Sequence, residues 1–400
     1  MKRMKSHKHQ TVVCLVSCVE QVQNIRTIRA LRTIAKYGYD VVAIMPGTLP
    51  HHEELRLITH HPIPAPQISF WYNAGFSNTL RAIGYRLRNS LLLAWKLVKI
   101  RPNIVICREP DSWLVAVLAK FWFGCKIVAD LREIYEERAL AFPSFMQNFV
   151  RKLIRNLMRY LSRFTDEIIH VSPERQQVYS YLHKPGVVIG QYPELRFFPR
   201  RNAFQQTVSL TFNHRSVTAI HAGALRPTYG SDQLLEAMAL TVESFPKIRL
   251  VVLGGISGKL SNAHLVEYLK KKNVLQLIQQ VPFLELLRWL YAADIGISLV
   301  LPVDMNCLLA APQKLYEYFA AGLPVVAADV PTLRRIVAKY ECGLLVDPFS
   351  PRDIANALMQ LARDDDLRQR MGQNARQAAE TEFNWAIEQP KFYSILESLR

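Results

Sequence analysis

The densest chemistry in this chain lies in one stretch, Pro312-Gln-Lys-Leu-Tyr-Glu-Tyr-Phe-Ala-Ala-Gly-Leu-Pro-Val-Val-Ala-Ala328. A loop runs into a helix that stops at Gly322, and Pro324 starts a strand. Lys314 and Glu317 fall in the first helical turn or just before it. The start of a helix carries partial positive charge and free N–H groups, which suit phosphate oxygens. Lys314 is placed to meet a phosphate there, and Glu317 to accept hydrogen bonds from ribose hydroxyls. A capping carboxylate beside a solvated lysine would give the same spacing.

Three further constellations stand out. Gly254-Gly-Ile-Ser-Gly258 follows an apolar run and suits a close backbone approach, although a tight turn explains it equally well. Glu109 and Asp111 flank Pro110 just beyond Cys107. Either carboxylate could orient a hydroxyl, and Asp111 reads as a helix cap. Arg151, Arg155, Arg159 and Arg163 recur every fourth residue in Phe149–Phe164, with Lys152 beside them and Leu153, Ile154, Leu157, Met158 and Leu161 on the other side. A basic amphipathic helix of this kind fits an anionic membrane surface, at about 1 kcal/mol per cation, and an ordinary surface helix fits as well. Arg81–Lys99 adds Arg81, Arg86, Arg88, Lys96 and Lys99 among Leu87, Leu91, Leu92 and Trp95, which favours the membrane.

Short β-rich runs alternate with helical stretches and must position these residues. Thr11–Val19, Tyr39–Met45, Asn103–Cys107, Lys126–Ala129 and Glu167–Val171 read as strands in the first half. Val217–His221, Arg249–Leu253, Ile295–Val300, Pro324–Ala328 and Gly343–Val346 follow in the second. This rhythm is that of βαβ units and parallel sheets. A chain of 400 residues exceeds the ~250–300 that one core supports, so two α/β domains are expected, with a seam near Pro193–Gln206 and ligands beyond the carboxyl ends of the strands.

Charge and cysteines narrow the class. Residues 1–200 hold 29 Lys and Arg against 14 Asp and Glu; residues 201–400 hold 21 against 19. The basic half implies an anionic partner. No nucleic-acid motif accompanies it, so no nucleic acid is expected. The six cysteines form no C-x-x-C pair and read as reduced thiols, with no metal site. No apolar run reaches the ~20 residues of a spanning helix, and Thr11–Val19 reads as a buried strand rather than part of a leader. The expected location is cytoplasmic, peripheral at the inner face of a membrane.

Pro312–Ala328 resembles the "P-x-K-L-x-E-Y-x-A-x-G-x-P-V-V-A" signature of GT-B-fold retaining glycosyltransferases, the "glycosyl transferases group 1" class. Val274–Ser298, with Val281 and Asp294, resembles the family's preceding strand–helix–strand. Asn24–Arg29 with Gly38–Val42, Asp130–Glu137 and Phe383-Asn-Trp385 resemble its other landmarks. The resemblance implies two Rossmann-like domains facing across a cleft: an acceptor-side domain over 1–200, a nucleotide-sugar domain over 201–382, and a returning helix over 383–400. It implies a nucleotide-sugar donor, retention at the anomeric carbon, no metal or other cofactor, and a sugar or lipid-linked acceptor.

Donor contacts carried over are Gly223, Arg226, Gly254, Val281, Lys314 and Glu317, and acceptor-side candidates are Glu109, Arg132 and Glu133. The chain departs from the pattern at four places. Leu309 stands for a second glutamate, Ala224 and Tyr229 for a cationic pair, and Arg132 for a histidine; Arg226 is the nearest substitute for the pair. A catalytically inactive GT-B scaffold that binds a glycan or a partner is the alternative those departures favour.

Overall fold

A computed structural model describes residues 11–50, 53–65, 76–201 and 216–400. The chain divides into two compact units, Met1–Gly190 with Glu388–Arg400, and Gln191–Ile387. The crossings fall at 190/191 and 387/388, against the expected 200 and 382.

The first unit holds β1 (Val12–Val16), β2 (Asp40–Ile44), β3 (Ile58–His60), β4 (Ile104–Cys107), β5 (Lys126–Leu131), β6 (Glu167–His170) and β7 (Val187–Val188). They form one sheet in the order β3-β2-β1-β4-β5-β6-β7. The second unit holds β8 (Val217–Ala222), β9 (Ile248–Leu253), β10 (Leu275–Ile278), β11 (Ile295–Ser298), β12 (Val325–Ala328) and β13 (Gly343–Val346), ordered β10-β9-β8-β11-β12-β13. Every pairing is parallel. Strands covered by helices on both faces read as short, mostly apolar runs rather than alternating ones, which is why the sequence exposes them. Two edge strands were not read: Ile58–His60 and Val187–Val188 are too short to show a pattern.

Each sheet reverses its winding once, between β1 and β4 and between β8 and β11. Chain connections part to opposite sides there, leaving a crevice at the strands' carboxyl ends. In the second unit apolar clusters pack both faces of the sheet: Tyr318, Phe319 and Phe383 belong to one, Leu234, Leu250 and Leu358 to the other. All six cysteines are free thiols. Among the described residues no helix is long and apolar enough to cross a membrane.

The pairing of β12 with β13 leaves no room at Gly343, where a Cβ would stand 2.2 Å from the Val325 carbonyl oxygen and 2.6 Å from its side chain. Gly343→Ala must push these strands apart. It should cost about 1–3 kcal/mol, as overpacking does, read as a lowered urea midpoint. An unshifted midpoint would show that the strand edge yields freely.

Candidate functional site

The second unit's crevice begins where β8 ends. Gly223 N–H donates to the Leu253 carbonyl (2.7 Å), Leu225 N–H to Gly255 (2.9 Å), and Ser257 N–H to Leu225 (2.9 Å). The segments after β8 and β9 thus run side by side beyond the sheet. Gly254, at φ +135°, is demanded by that approach: a Cβ there would lie 2.6 Å from the Ala224 nitrogen. Its glycine therefore has a packing cause within the protein. Gly223, at φ +140°, is different, since the nearest atom to its missing Cβ is His221 Nε2 at 3.9 Å. The backbone there lies open to close approach.

The helix Gln313–Ala320 enters the same crevice, and every residue from Lys314 to Ala320 is buried. Tyr318 fastens it. The Tyr318 hydroxyl accepts the Ala222 N–H (2.8 Å) and lies 3.2 Å from the Ile220 and Ile297 carbonyls. Its ring fills the space over Gly296, where a Cβ would come within 2.5 Å. The chain then turns at Gly322, φ +70°, and Leu323 N–H returns to the Tyr318 carbonyl.

Lys314 and Glu317 are neither the solvated lysine nor the capping carboxylate that spacing allowed. Lys314 is the helix's second residue and only 9% exposed. Glu317 is buried one turn further along, past the first turn, and accepts a hydrogen bond from Gln313 Nε2 (2.8 Å). Lys314 Nζ lies 3.3 and 3.5 Å from the two His221 ring nitrogens and 5.1 Å from the Tyr229 ring centroid. The Arg226 guanidinium lies 5.8 Å from the same centroid. The two cations therefore converge on Tyr229, one of the two positions where the family pattern has a cation. Burial, then Arg226, pushes the Lys314 ammonium down to about 7, with Glu317 opposing. Burial and Lys314 hold His221 well below its usual range. Val281 sits half-buried ahead of the helix Phe283–Ala292, and Leu309 is buried.

The first unit's crevice is organised by ion pairs. Arg108, 1% exposed, and Arg132 both reach Glu20 (2.8 Å each) and Asp130 (3.3 and 3.0 Å). Two guanidiniums and two carboxylates thus close a square. Burial favours protonation of Glu20, but Arg108 and Arg132 outweigh it and hold the carboxyl below its usual range. Arg132 is committed inside this square, where it sets shape and charge rather than moving a proton. Glu109, next to Arg108 in the sequence, is buried as the residue capping the helix Pro110–Phe123, sharing a capping box with Ser112. It accepts the Ser17 hydroxyl at 2.5 Å. Burial, then Asp111, raises its proton affinity. Asp111 is not the cap that was expected; it takes a bidentate pair from Arg86 at 2.9 and 2.6 Å. Glu133 stands apart, its side chain 63% exposed, with Arg138 at 3.9 Å.

The sequence reading missed His221, Tyr229 as a ring between two cations, and Tyr318 as an anchor. It also missed Glu20 and Arg108. The available signal was positional: each stands at or just beyond the carboxyl end of a strand, or one turn along the signature helix.

Residues 204–378 match the family described as Glycosyl transferases group 1. The D-inositol 3-phosphate glycosyltransferase of Corynebacterium glutamicum (strain R) is 33% identical over 188 residues, 46% of this chain and 43% of that relative. The chain spans less than half the length of the first curated relatives it matches. Among solved structures, sucrose-phosphate synthase from Thermosynechococcus elongatus has a TM-score of 0.72 at 17% identity, covering 98% of this chain and 99% of that one. Anabaena Alr3699/HepE, solved in complex with UDP, has a TM-score of 0.68 at 15% identity, covering 97% and 100%. At these identities the likeness establishes the fold, the two Rossmann-like domains of GT-B type.

Two predictions follow from the site's electrostatics. Arg108→Met leaves Glu20 and Asp130 with one buried guanidinium between them, and should cost about 3–5 kcal/mol in urea denaturation. A cost below about 1 kcal/mol would show that the square is dispensable. Lys314 is pushed down to about 7 from an ordinary 10.5, and a phosphate anion bound beside it would restore its proton. Affinity for a nucleoside diphosphate should then fall as pH rises from 7 toward 10.5, by at most about tenfold per pH unit, and stay level just below 7. Calorimetry in two buffers of different ionisation enthalpy would record the proton uptake, and Lys314→Met would abolish it.

Proposed function

We propose that this chain, which belongs to the glycosyl transferases group 1 family, transfers a sugar from a nucleoside diphosphate sugar to an acceptor hydroxyl. The observation that carries the reading is the convergence of Arg226 and Lys314 on Tyr229, with Glu317 one turn beyond Lys314. A leaving diphosphate needs exactly placed positive charge as its bond to the anomeric carbon breaks, and two cations in a poorly solvated crevice provide it. Glu317 holds the ribose hydroxyls, and the open backbone at Gly223 lets the phosphates approach. The UDP held by the structurally similar Alr3699/HepE supports this class of donor. The bond from the anomeric carbon to the diphosphate oxygen breaks, a bond to the acceptor oxygen forms, and the acceptor's proton leaves with the diphosphate. Configuration is retained.

The first unit receives the acceptor, with Glu109 as its proton-holding carboxyl and Arg132 as a positioning residue. The excess of positive charge in residues 1–200 supports an anionic, lipid-linked acceptor at a cytoplasmic membrane face.

The two roles separate by ligand. Arg226→Ala should weaken a nucleoside diphosphate by about 1.5–3 kcal/mol and leave the free nucleoside nearly unaffected, whereas Glu317→Gln should weaken both alike. Calorimetry with each ligand tests this, and equal losses for both ligands on Arg226→Ala would remove that residue from the phosphates. Binding of nucleotide sugars without hydrolysis or transfer would leave a scaffold as the better reading.

A further inference from the structure

We propose that the outer face of three neighbouring helices in the first unit inserts into an anionic bilayer, its apolar side chains entering the lipid and its cations meeting lipid phosphates. The proposal rests on the reading of a lipid-linked acceptor and goes beyond it, because it assigns the attachment to apolar contact.

The helices Phe76–Ile100, Pro110–Phe123 and Ser144–Ser162 lie side by side and share one core against the sheet. Leu93 and Leu97, Trp113 and Val117, and Met158 and Leu161 point into that core. The inner faces are thus accounted for, yet the outer faces are apolar too. On the first helix Leu87, Leu91 and Trp95 follow one another at four-residue steps, and Leu91 is 74% exposed. The second helix, Pro-Asp-Ser-Trp-Leu-Val-Ala-Val-Leu-Ala-Lys-Phe-Trp-Phe, is apolar over most of its circumference, and exposes Leu118, Phe121 and Trp122, the last at 73%. The third exposes Phe149 and Leu153. Phe164 joins the second and third, its ring 5.0 Å from Phe121 and 5.2 Å from Tyr160. A helix apolar over most of its circumference belongs in a core or in lipid, and monomeric soluble proteins rarely expose so many large apolar side chains on neighbouring helices.

Charge selects the occupant. These three helices carry ten Lys and Arg against one acid; Arg86 is held by Asp111, Lys120 by Asp166 and Arg151 by Glu137, while Arg81, Arg88, Lys99, Lys152 and Arg159 stand exposed. Lys99 Nζ stands 3.8 Å from the Trp95 ring centroid, a cation over an aromatic at the patch's edge. A second copy of the chain related by a twofold axis would set these cations against one another. An anionic lipid surface satisfies both the apolar centre and the cations, whose stems can snorkel.

The geometry also revises the arginine stripe. Arg151 reaches Glu137 (3.7 Å), Arg155 lies over the Tyr181 ring (4.3 Å), and Arg163 donates to His183 (3.0 Å). These arginines turn toward their own unit, and Leu153, read as lying on the side opposite them, faces out at 56% exposure.

The test uses the full chain and vesicles of phosphatidylcholine alone or mixed with phosphatidylglycerol. The wild type should co-sediment with the mixed vesicles, keep part of that binding at salt that screens charge beyond ~3 Å, and show tryptophan emission quenched by brominated acyl chains. The variant Leu118→Ser, Phe121→Ser, Trp122→Ser changes only exposed side chains, so its urea midpoint should match the wild type while vesicle partitioning falls by at least about tenfold. Wild-type partitioning of that variant would overturn insertion and leave charge alone as the attachment. A concentration-dependent dimer that the variant fails to form, without wild-type vesicle binding, would overturn it in favour of a protein contact. Nucleoside diphosphate affinity is measured on the same samples without lipid: its absence in the wild type counts against the transferase reading and leaves the vesicle result intact.

Discussion

The Tyr318 hydroxyl takes the N–H at the end of β8 and faces the carbonyls of Ile220 and Ile297, and that anchorage decides how the helix Gln313–Ala320 lies in the second unit. The helix is short and buried from Lys314 to Ala320, so its charged residues have no solvent-facing side on which to rest. With the ring seated over Gly296, Lys314 and Glu317 can reach only the crevice beyond the sheet. The signature's tyrosine and the distant glycine are one device, a phenol and the space that admits it. The lysine and glutamate owe their chemistry to that fit.

The two crevices treat buried charge in opposite ways. In the first unit, Glu20 and Asp130 balance Arg108 and Arg132, so the square is neutral within itself and lends rigidity. In the second, Lys314 is buried against His221 with Arg226 nearby, and the carboxylate opposing them belongs to Glu317. Burial and the neighbouring Arg226 work against the Lys314 ammonium and Glu317 works for it, so the balance at this lysine is set by its neighbours' charge.

The architecture was legible because parallel strands covered on both faces announce themselves as short, mostly apolar runs, and the signature helix because glycine and proline bracket it. What was not legible depends on distance in space. His221 and Tyr229 have no pattern of their own, and become informative only once the turn after β8 brings them to Lys314. Asp111 looked like a cap because it follows a proline at a helix start, but Glu109 holds that place and Arg86, from another helix, claims Asp111. The arginine repeat drew attention to charge, while the exposed Phe121 and Trp122 lay in a run that reads as ordinary core.

The first unit is built from both ends of the sequence. Glu388 holds the Gly190 N–H, Tyr393 stacks on Tyr37 at 3.8 Å, and Glu397 accepts the Tyr39 hydroxyl at 2.8 Å. During synthesis on the ribosome, the sheet β1 to β7 is finished long before Glu388–Arg400 have been made, and the whole second unit is translated in between. The first unit therefore waits, with the surface around Tyr37 and Tyr39 uncovered, until Glu388–Arg400 emerge. A nascent chain stalled before that point would carry a complete second unit attached to an unfinished first one, and would be the natural species for a chaperone to hold.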